Sequence, residues 1–334
     1  MKKMTRSALI TGGAGFIGFH LAKNLSDDGL DVTILDNFSR GREDEEFNEL
    51  ISRKNVQFIE SDITEKSSFK NLPEFDYVYH LAAINGTENF YNIPDQVLRV
   101  GVIGTLNVLD WFVNCEKGKI LFSSSSETYA GALNLMSSDF PIPTPEKVPL
   151  VIDEPSNVRW SYGASKIIGE VAFHSYSAAN GMGNFSIVRY HNIYGPRMGF
   201  EHVIPQFIER IERGDNPFNI MGGTETRSFC YVDDAVKATR LVMESEESNG
   251  KVINIGRSDG EISILELANK IFAVSDVNPE IEILPAPEGS VKRRCPNVEE
   301  LSALGFIPNV SLEVGLGRIY EWYHDYYRNE GDSS

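Results

Sequence analysis

Cysteine is scarce in this chain, with three in 334 residues, at Cys115, Cys230 and Cys295. They lie far apart with no metal-ligand spacing, so no metal site is expected and the thiols are predicted to be reduced and structural. Long apolar runs are missing too. No stretch reaches the ~18 uninterrupted apolar residues of a membrane span, so no membrane partner is expected. The basic start Met-Lys-Lys-Met-Thr-Arg leads straight into a strand-like run, without the apolar core and cleavage site of a signal peptide, and a cytoplasmic location is expected. Positive charge is also in deficit: 31 Lys and Arg stand against 48 Asp and Glu, a formal net charge of -17. That balance disfavours nucleic acid or an anionic membrane surface. Acidic residues cluster at 43–49 and 244–247, where solvated helix faces and loops are expected. No internal repeat or low-complexity segment stands out.

What is present suits a large globular chain. Hydrophobic residues make up 41 %, enough for a sizeable core and a second lobe. Short apolar runs at 8–11, 32–35, 56–59, 77–81, 120–123 and 185–189 alternate with helical patterns at 16–27, 95–114 and 161–180. Such alternation predicts a mostly parallel sheet covered by helices on both faces. After Tyr190 the rhythm breaks. A smaller lobe is expected over about 190–225 and 258–330, while 226–257 returns to the first domain (1–189) and 329–334 forms a disordered tail. The proline- and serine-rich stretch 131–155 has no clear period and reads as a long functional loop.

Thr11-Gly-Gly-Ala-Gly-Phe-Ile-Gly18 follows the first strand and opens a helix, the context that gives a glycine motif meaning. Gly12 permits the tight turn, Gly15 lets backbone approach a pyrophosphate, and Gly18 allows close helix–strand packing. The helix start then offers unpaired N–H groups to phosphate. Asp36 ends the second strand, where a carboxylate accepts from ribose hydroxyls and repels a 2′-phosphate, favouring NAD over NADP; nearby Arg40 blurs that choice. Together these features predict an α/β fold: a Rossmann-type doubly wound parallel sheet with a smaller, mixed α/β C-terminal substrate lobe. In Tyr162-Gly-Ala-Ser-Lys166, two side chains leave one helix face a turn apart, and an ammonium beside a phenol is expected to lower the tyrosine pKa.

With the serine run Ser123–Ser126 between them, these motifs resemble the extended short-chain dehydrogenase/reductase family, in its branch of nucleotide-sugar epimerases, dehydratases and decarboxylases. The resemblance runs from Ser7 to about Leu304 and includes His80-Leu-Ala-Ala83, Arg189-Tyr-His-Asn-Ile-Tyr-Gly-Pro-Arg197 and Thr226-Arg-Ser-Phe-Cys-Tyr-Val-Asp-Asp234. It implies tightly held, recycled NAD, bound by Gly12, Gly15, Phe16, Ile17, Gly18, Asp36, Asn37, Asp62, Ile63, Leu81, Ala82, Ala83, Tyr162 and Lys166. Tyr162 is implied as the base at the sugar C4 hydroxyl, Lys166 as its pKa-lowering partner and Ser125 as the donor holding the reacting oxygen. Oxidation at C4 then gives a 4-keto sugar. Asn192, Arg227 and Arg294 are implied to meet the diphosphate of a nucleotide sugar, most simply a UDP-sugar, and the helices at 95–114 and 161–180 to form a homodimer surface.

The resemblance leaves the product open. Glu127, two residues after Ser125, is implied to serve chemistry beyond C4, as in dehydratases and decarboxylases; Ser126 beside it stands where many dehydratases carry Asp. Arg294 matches an arginine of UDP-glucuronate decarboxylases (UDP-xylose synthase-like enzymes). The loop Ile84-Asn-Gly-Thr-Glu-Asn-Phe-Tyr91 departs from the usual versions and is expected to line the sugar, with Glu88 as a second acid there. Epimerase or dehydratase chemistry is expected first, glucuronate decarboxylation as the alternative. A non-catalytic dinucleotide sensor on the same fold is disfavoured, because a sensor needs none of Ser125, Tyr162 and Lys166.

Overall fold

The computed structural model describes residues 5–286 and 291–331, with side chains from 329 onward left out. Six apolar runs become strands β1 (Ser7–Thr11), β2 (Asp31–Asp36), β3 (Val56–Glu60), β4 (Tyr77–His80), β5 (Lys119–Ser125) and β6 (Phe185–Tyr190). A further strand, Val252–Ile255, joins them at one edge, giving the order Val252–Ile255, β6, β5, β4, β1, β2, β3. Every pairing in this sheet is parallel. Parallel strands covered on both faces are near-continuous apolar runs, and the inner strands are buried along most of their length. Chain order reverses between β1 and β4, which opens a crevice at the carboxyl ends of the strands.

Helix Phe16–Asp27 follows β1, and helix Trp160–Asn180 lies against β5. The helix expected over 95–114 is built in three pieces, Pro94–Arg99, a wide π-helical turn Val100–Gly104, and Thr105–Phe112. The stretch 131–155 is not all loop, because Ala130–Met136 forms a short helix.

Beyond β6 the sheets become small. Ile193–Tyr194 pairs with Cys230–Tyr231, Phe218–Met221 with Ile281–Leu284, and Thr226–Arg227 lies between Ile262–Ser263 and Arg293–Arg294. The last helix runs Leu312–Gly331, so residues 329–331 of the expected tail are helical and 332–334 lie outside the described residues. One continuous core joins these parts, from Ile10 and Phe19 to Phe218, Phe272 and Tyr323. The acidic segment 43–49 is not merely a solvated face. Asp44 caps helix Glu45–Ile51, Asp44 and Glu46 pair with the buried Arg197, and Glu46 accepts from Trp322 Nε1 of the last helix at 3.1 Å. All three cysteines are free.

Candidate active site

The crevice is a cleft of about 580 Å³ running from the β1 turn to the small sheets. Gly12 adopts φ +77°, and a Cβ there would fall 2.7 Å from the Ala82 backbone. At Gly18 a Cβ would lie 2.1 Å from Gly12 O, so helix and turn touch through hydrogen alone. At Gly15 a Cβ would meet only Gly12 O, at 3.3 Å, and would project into space a phosphate needs. Helix Phe16–Asp27 has no side-chain cap, which leaves its first N–H groups for an anion.

Asp36, at the end of β2, lines the cleft. Its carboxylate accepts from Ala14 N at 3.0 Å and Phe38 N at 2.8 Å, and among the described residues no ion pair engages it. Burial pushes its carboxyl up, opposed by these backbone donors. Arg40 does not wait for a 2′-phosphate, since it is paired with Glu201 across the cleft. Asn37 Nδ2 donates to Asp62 at 3.2 Å, and Ile63, Leu81, Ala82 and Ala83 line the same wall. A turn shaped for pyrophosphate beside a carboxylate shaped for a ribose diol fits NAD.

Further along, the end of β5 delivers Ser123–Ser125, and helix Trp160–Asn180 brings Tyr162 and Lys166 onto one buried face. The expected effect of Lys166 on Tyr162 is absent. Lys166 Nζ donates to Ser123 O at 2.6 Å and lies 5.6 Å from the Tyr162 ring centroid. Burial draws Lys166 down to about 7, despite the Glu170 charge. Burial likewise pushes the Tyr162 phenol above its ordinary range; a hydrogen bond with Ser125 opposes this and Glu127 adds to it. Desolvation dominates for both groups because both are inside.

Glu127 sits on the turn after Ser125. Arg294 Nη1 donates to its Oε1 at 2.6 Å, and Arg159 lies 3.7 Å from its Oε2. Burial works against ionisation there, but Arg294, then Arg159 and Arg227, outweigh it and hold the carboxyl below its usual range. Ser126 is buried beside it and Asn192, at φ +45°, lines the cleft with Nδ2 on Ser228 O.

Two implied substrate residues stand elsewhere. Glu88 is exposed on the short helix Thr87–Asn92, accepts from Asn92 at 3.2 Å and does not line the cleft. Arg227 lies beside Arg294 in its strand pair, outside the cleft wall, with Nη1 on Thr226 O. Arg294 lines the cleft and Arg227 does not, so the two arginines implied for the diphosphate do not converge there. The sequence reading missed Arg159, although its place three before Tyr162 puts both on one side of the helix start. It also missed Phe90, inside the loop it flagged, which lies 5.1 Å from the Tyr162 ring centroid.

The family model described as "NAD dependent epimerase/dehydratase family" matches residues 8–256. The chain belongs to this family. It is 36 % identical over 333 residues to the UDP-N-acetyl-alpha-D-glucosaminuronate decarboxylase of Bacillus cytotoxicus, covering 96 % of this chain and 99 % of that one. Among solved structures, the UDP-glucose 4-epimerase of Thermotoga maritima with UDP-glucose is 29 % identical, with a TM-score of 0.83, over 96 % of this chain and 99 % of the other. The UDP-glucuronic acid 4-epimerase of Bacillus cereus, in complex with UDP-glucuronic acid and NAD, is 27 % identical with a TM-score of 0.80, over 96 % and 100 %. The chain is therefore an NAD-dependent enzyme of the epimerase/dehydratase family, and its residues fit the cofactor. No helix among the described residues is long and apolar enough to cross a membrane.

Proposed function

We propose that this enzyme decarboxylates a UDP-linked uronic acid through a 4-keto intermediate. The observation carrying this reading is the Glu127–Arg294 pair with Arg159 at its flank. A simple 4-epimerase needs no charged group beyond C4. A dehydratase needs an acid to protonate the leaving C6 oxygen. Arginines hold the Glu127 carboxyl below its usual range, and Ser126 stands where many dehydratases carry the Asp that serves as that acid, which weakens the dehydratase reading. Arginines in excess over one carboxylate suit a sugar that brings its own carboxylate. The likeness to the decarboxylase of Bacillus cytotoxicus supports the same chemistry.

NAD, held by the Gly12–Gly18 turn and Asp36, would supply a hydride acceptor for C4 and the hydride for its later reduction. Tyr162 takes the C4 hydroxyl proton, and the Ser125 hydroxyl bonded to that phenol holds the same oxygen. Lys166, anchored on Ser123 O, fixes the helix face that carries Tyr162 and presents its ammonium to the cofactor ribose. The C4 ketone makes the C6 carboxylate part of a β-keto acid. The C5–C6 bond breaks, carbon dioxide leaves, and its electron pair passes to C5 and the C4 oxygen. C5 then takes a proton from solvent, and Tyr162 gives its proton back to the C4 oxygen as C4 is reduced. Arg294 and Arg159 orient the carboxylate, and Glu127 keeps those guanidinium groups in place.

Incubation with UDP-glucuronate and with UDP-N-acetylglucosaminuronate tests this. Release of carbon dioxide and a product lighter by that mass are expected. Epimerisation of neutral UDP-sugars with no decarboxylation of either uronate would sink the reading and favour 4-epimerase chemistry, which the likeness to the Thermotoga maritima epimerase supports. We also propose a homodimer and a cytoplasmic location. Exposed Leu98, Ile168 and Val171 on the two helices support the dimer, and light scattering in solution checks it.

A further inference from the structure

The loop 84–91 is built around an aromatic stack on the catalytic tyrosine. Gly86, at φ +111°, starts helix Thr87–Asn92, and a Cβ there would fall 2.3 Å from Glu201 Oε1. Phe90, on the buried side of that helix, lies parallel to Tyr162, with ring centroids 5.1 Å apart and planes inclined by 14°. Ile84, Phe90, Val97 and Tyr162 form a small apolar cluster of their own, separate from the main cores. Phe90 also lines the cleft. One face of the tyrosine ring is thus covered by protein. Ser125 meets the phenol oxygen.

We propose that Phe90 is a positioning residue for Tyr162, whose stacked ring fixes the plane of the phenol and excludes water from it during proton transfer at C4. The proposal rests on the assignment of Tyr162 as the base. A phenol rotates about two side-chain torsions, and a near-parallel ring with its centroid 5.1 Å away removes one swing of that motion. Proton transfer demands a short, aligned approach to the sugar oxygen, so a loose ring costs rate rather than affinity. The charged groups facing Tyr162 are Glu127 on the β5 turn and Lys166 one helical turn along. Asp95 and Arg99 on the adjoining helix are exposed, as is Glu88.

The test compares wild type, Phe90→Leu, Phe90→Tyr and Tyr162→Phe, each checked for folding by thermal melting and for bound NAD. Turnover of UDP-glucuronate is followed across pH, and the phenol is titrated by ultraviolet difference against the Tyr162→Phe counterpart, which needs no substrate. In Phe90→Leu, kcat falls about three- to tenfold with KM within about twofold, the range a ring pair is worth. Its acid limb and its phenol titration both move to lower pH, because water admitted to the ring relieves desolvation. Phe90→Tyr, which keeps the stack, restores both. Unchanged kcat and unchanged titration in folded Phe90→Leu, with Tyr162→Phe inactive, would overturn this proposal alone. A rise in KM with kcat intact would overturn it by making Phe90 only a substrate contact. Full turnover by Tyr162→Phe would overturn the base assignment and the proposal together.

Discussion

Arg294 and Glu127, 167 positions apart in the chain, meet through a 2.6 Å ion pair at the end of β5. The pair engages the Glu127 carboxylate with a guanidinium and holds its carboxyl below its usual range, so that it anchors arginines. Arg294→Gln is expected to lower kcat/KM for UDP-uronates by about 10²-fold or more, since it removes the cation from the carboxylate and frees Glu127. Arg294→Lys should recover part of that loss, because an ammonium supplies charge without the planar fork. Steady-state assays of carbon dioxide release decide the matter, and wild-type rates in Arg294→Gln would remove the pair from the mechanism.

Tyr162→Phe keeps the ring and its stack on Phe90 but loses the hydroxyl. Turnover is expected to drop by about 10²- to 10⁴-fold, while the melting temperature and the NAD content of the purified protein stay close to wild type. A quenched assay alongside absorbance of bound cofactor checks both halves.

The two glycines of the nucleotide turn are expected to fail differently. Gly15→Ala adds a methyl that meets only Gly12 O at 3.3 Å, so the fold persists while NAD affinity falls roughly tenfold or more. Gly18→Ala drives a methyl to 2.1 Å from Gly12 O and is expected to destabilise the protein by about 1–3 kcal/mol. Calorimetric NAD titration and thermal melting separate the outcomes.

Stability should fall on acidification. Burial pulls His80 and His191 down to about 3, where His191 bonds Asn254 Oδ1 and Tyr129 and His80 bonds Thr11 and Thr105. The unfolded chain therefore binds these protons first. Stability present above the unfolded value near 6.5 is lost as pH falls toward 3, with a limiting slope of about 1.4 kcal/mol per pH unit per histidine. Urea unfolding at stepped pH is expected to show this, and His191→Gln should remove about one histidine's share.

Much of the fold was legible because its signals are local. The apolar runs, the glycine turn after β1 and the helix carrying Tyr162 and Lys166 each depend on residues within a turn or a strand of one another. The return of Val252–Ile255 to the sheet was legible for the same reason. The candidate site was legible only as far as motifs reach. The spacing of Tyr162 and Lys166 put them on one face but could not give their solvation, so the expected lowering of the phenol pKa did not appear. Glu88 looked like a site acid by position in its loop, yet the helix Thr87–Asn92 turns it to solvent and turns Phe90 inward.

The amino-acid sequence by itself determined the cofactor turn, the order of the catalytic residues and the family, since backbone geometry and periodic burial write those into short segments. Only the tertiary structure decided which charges meet. Arg40 pairs with Glu201 and Arg294 with Glu127, partners 161 and 167 residues away. Ion pairing and desolvation depend on distance through space rather than along the chain, and no local pattern carries that information.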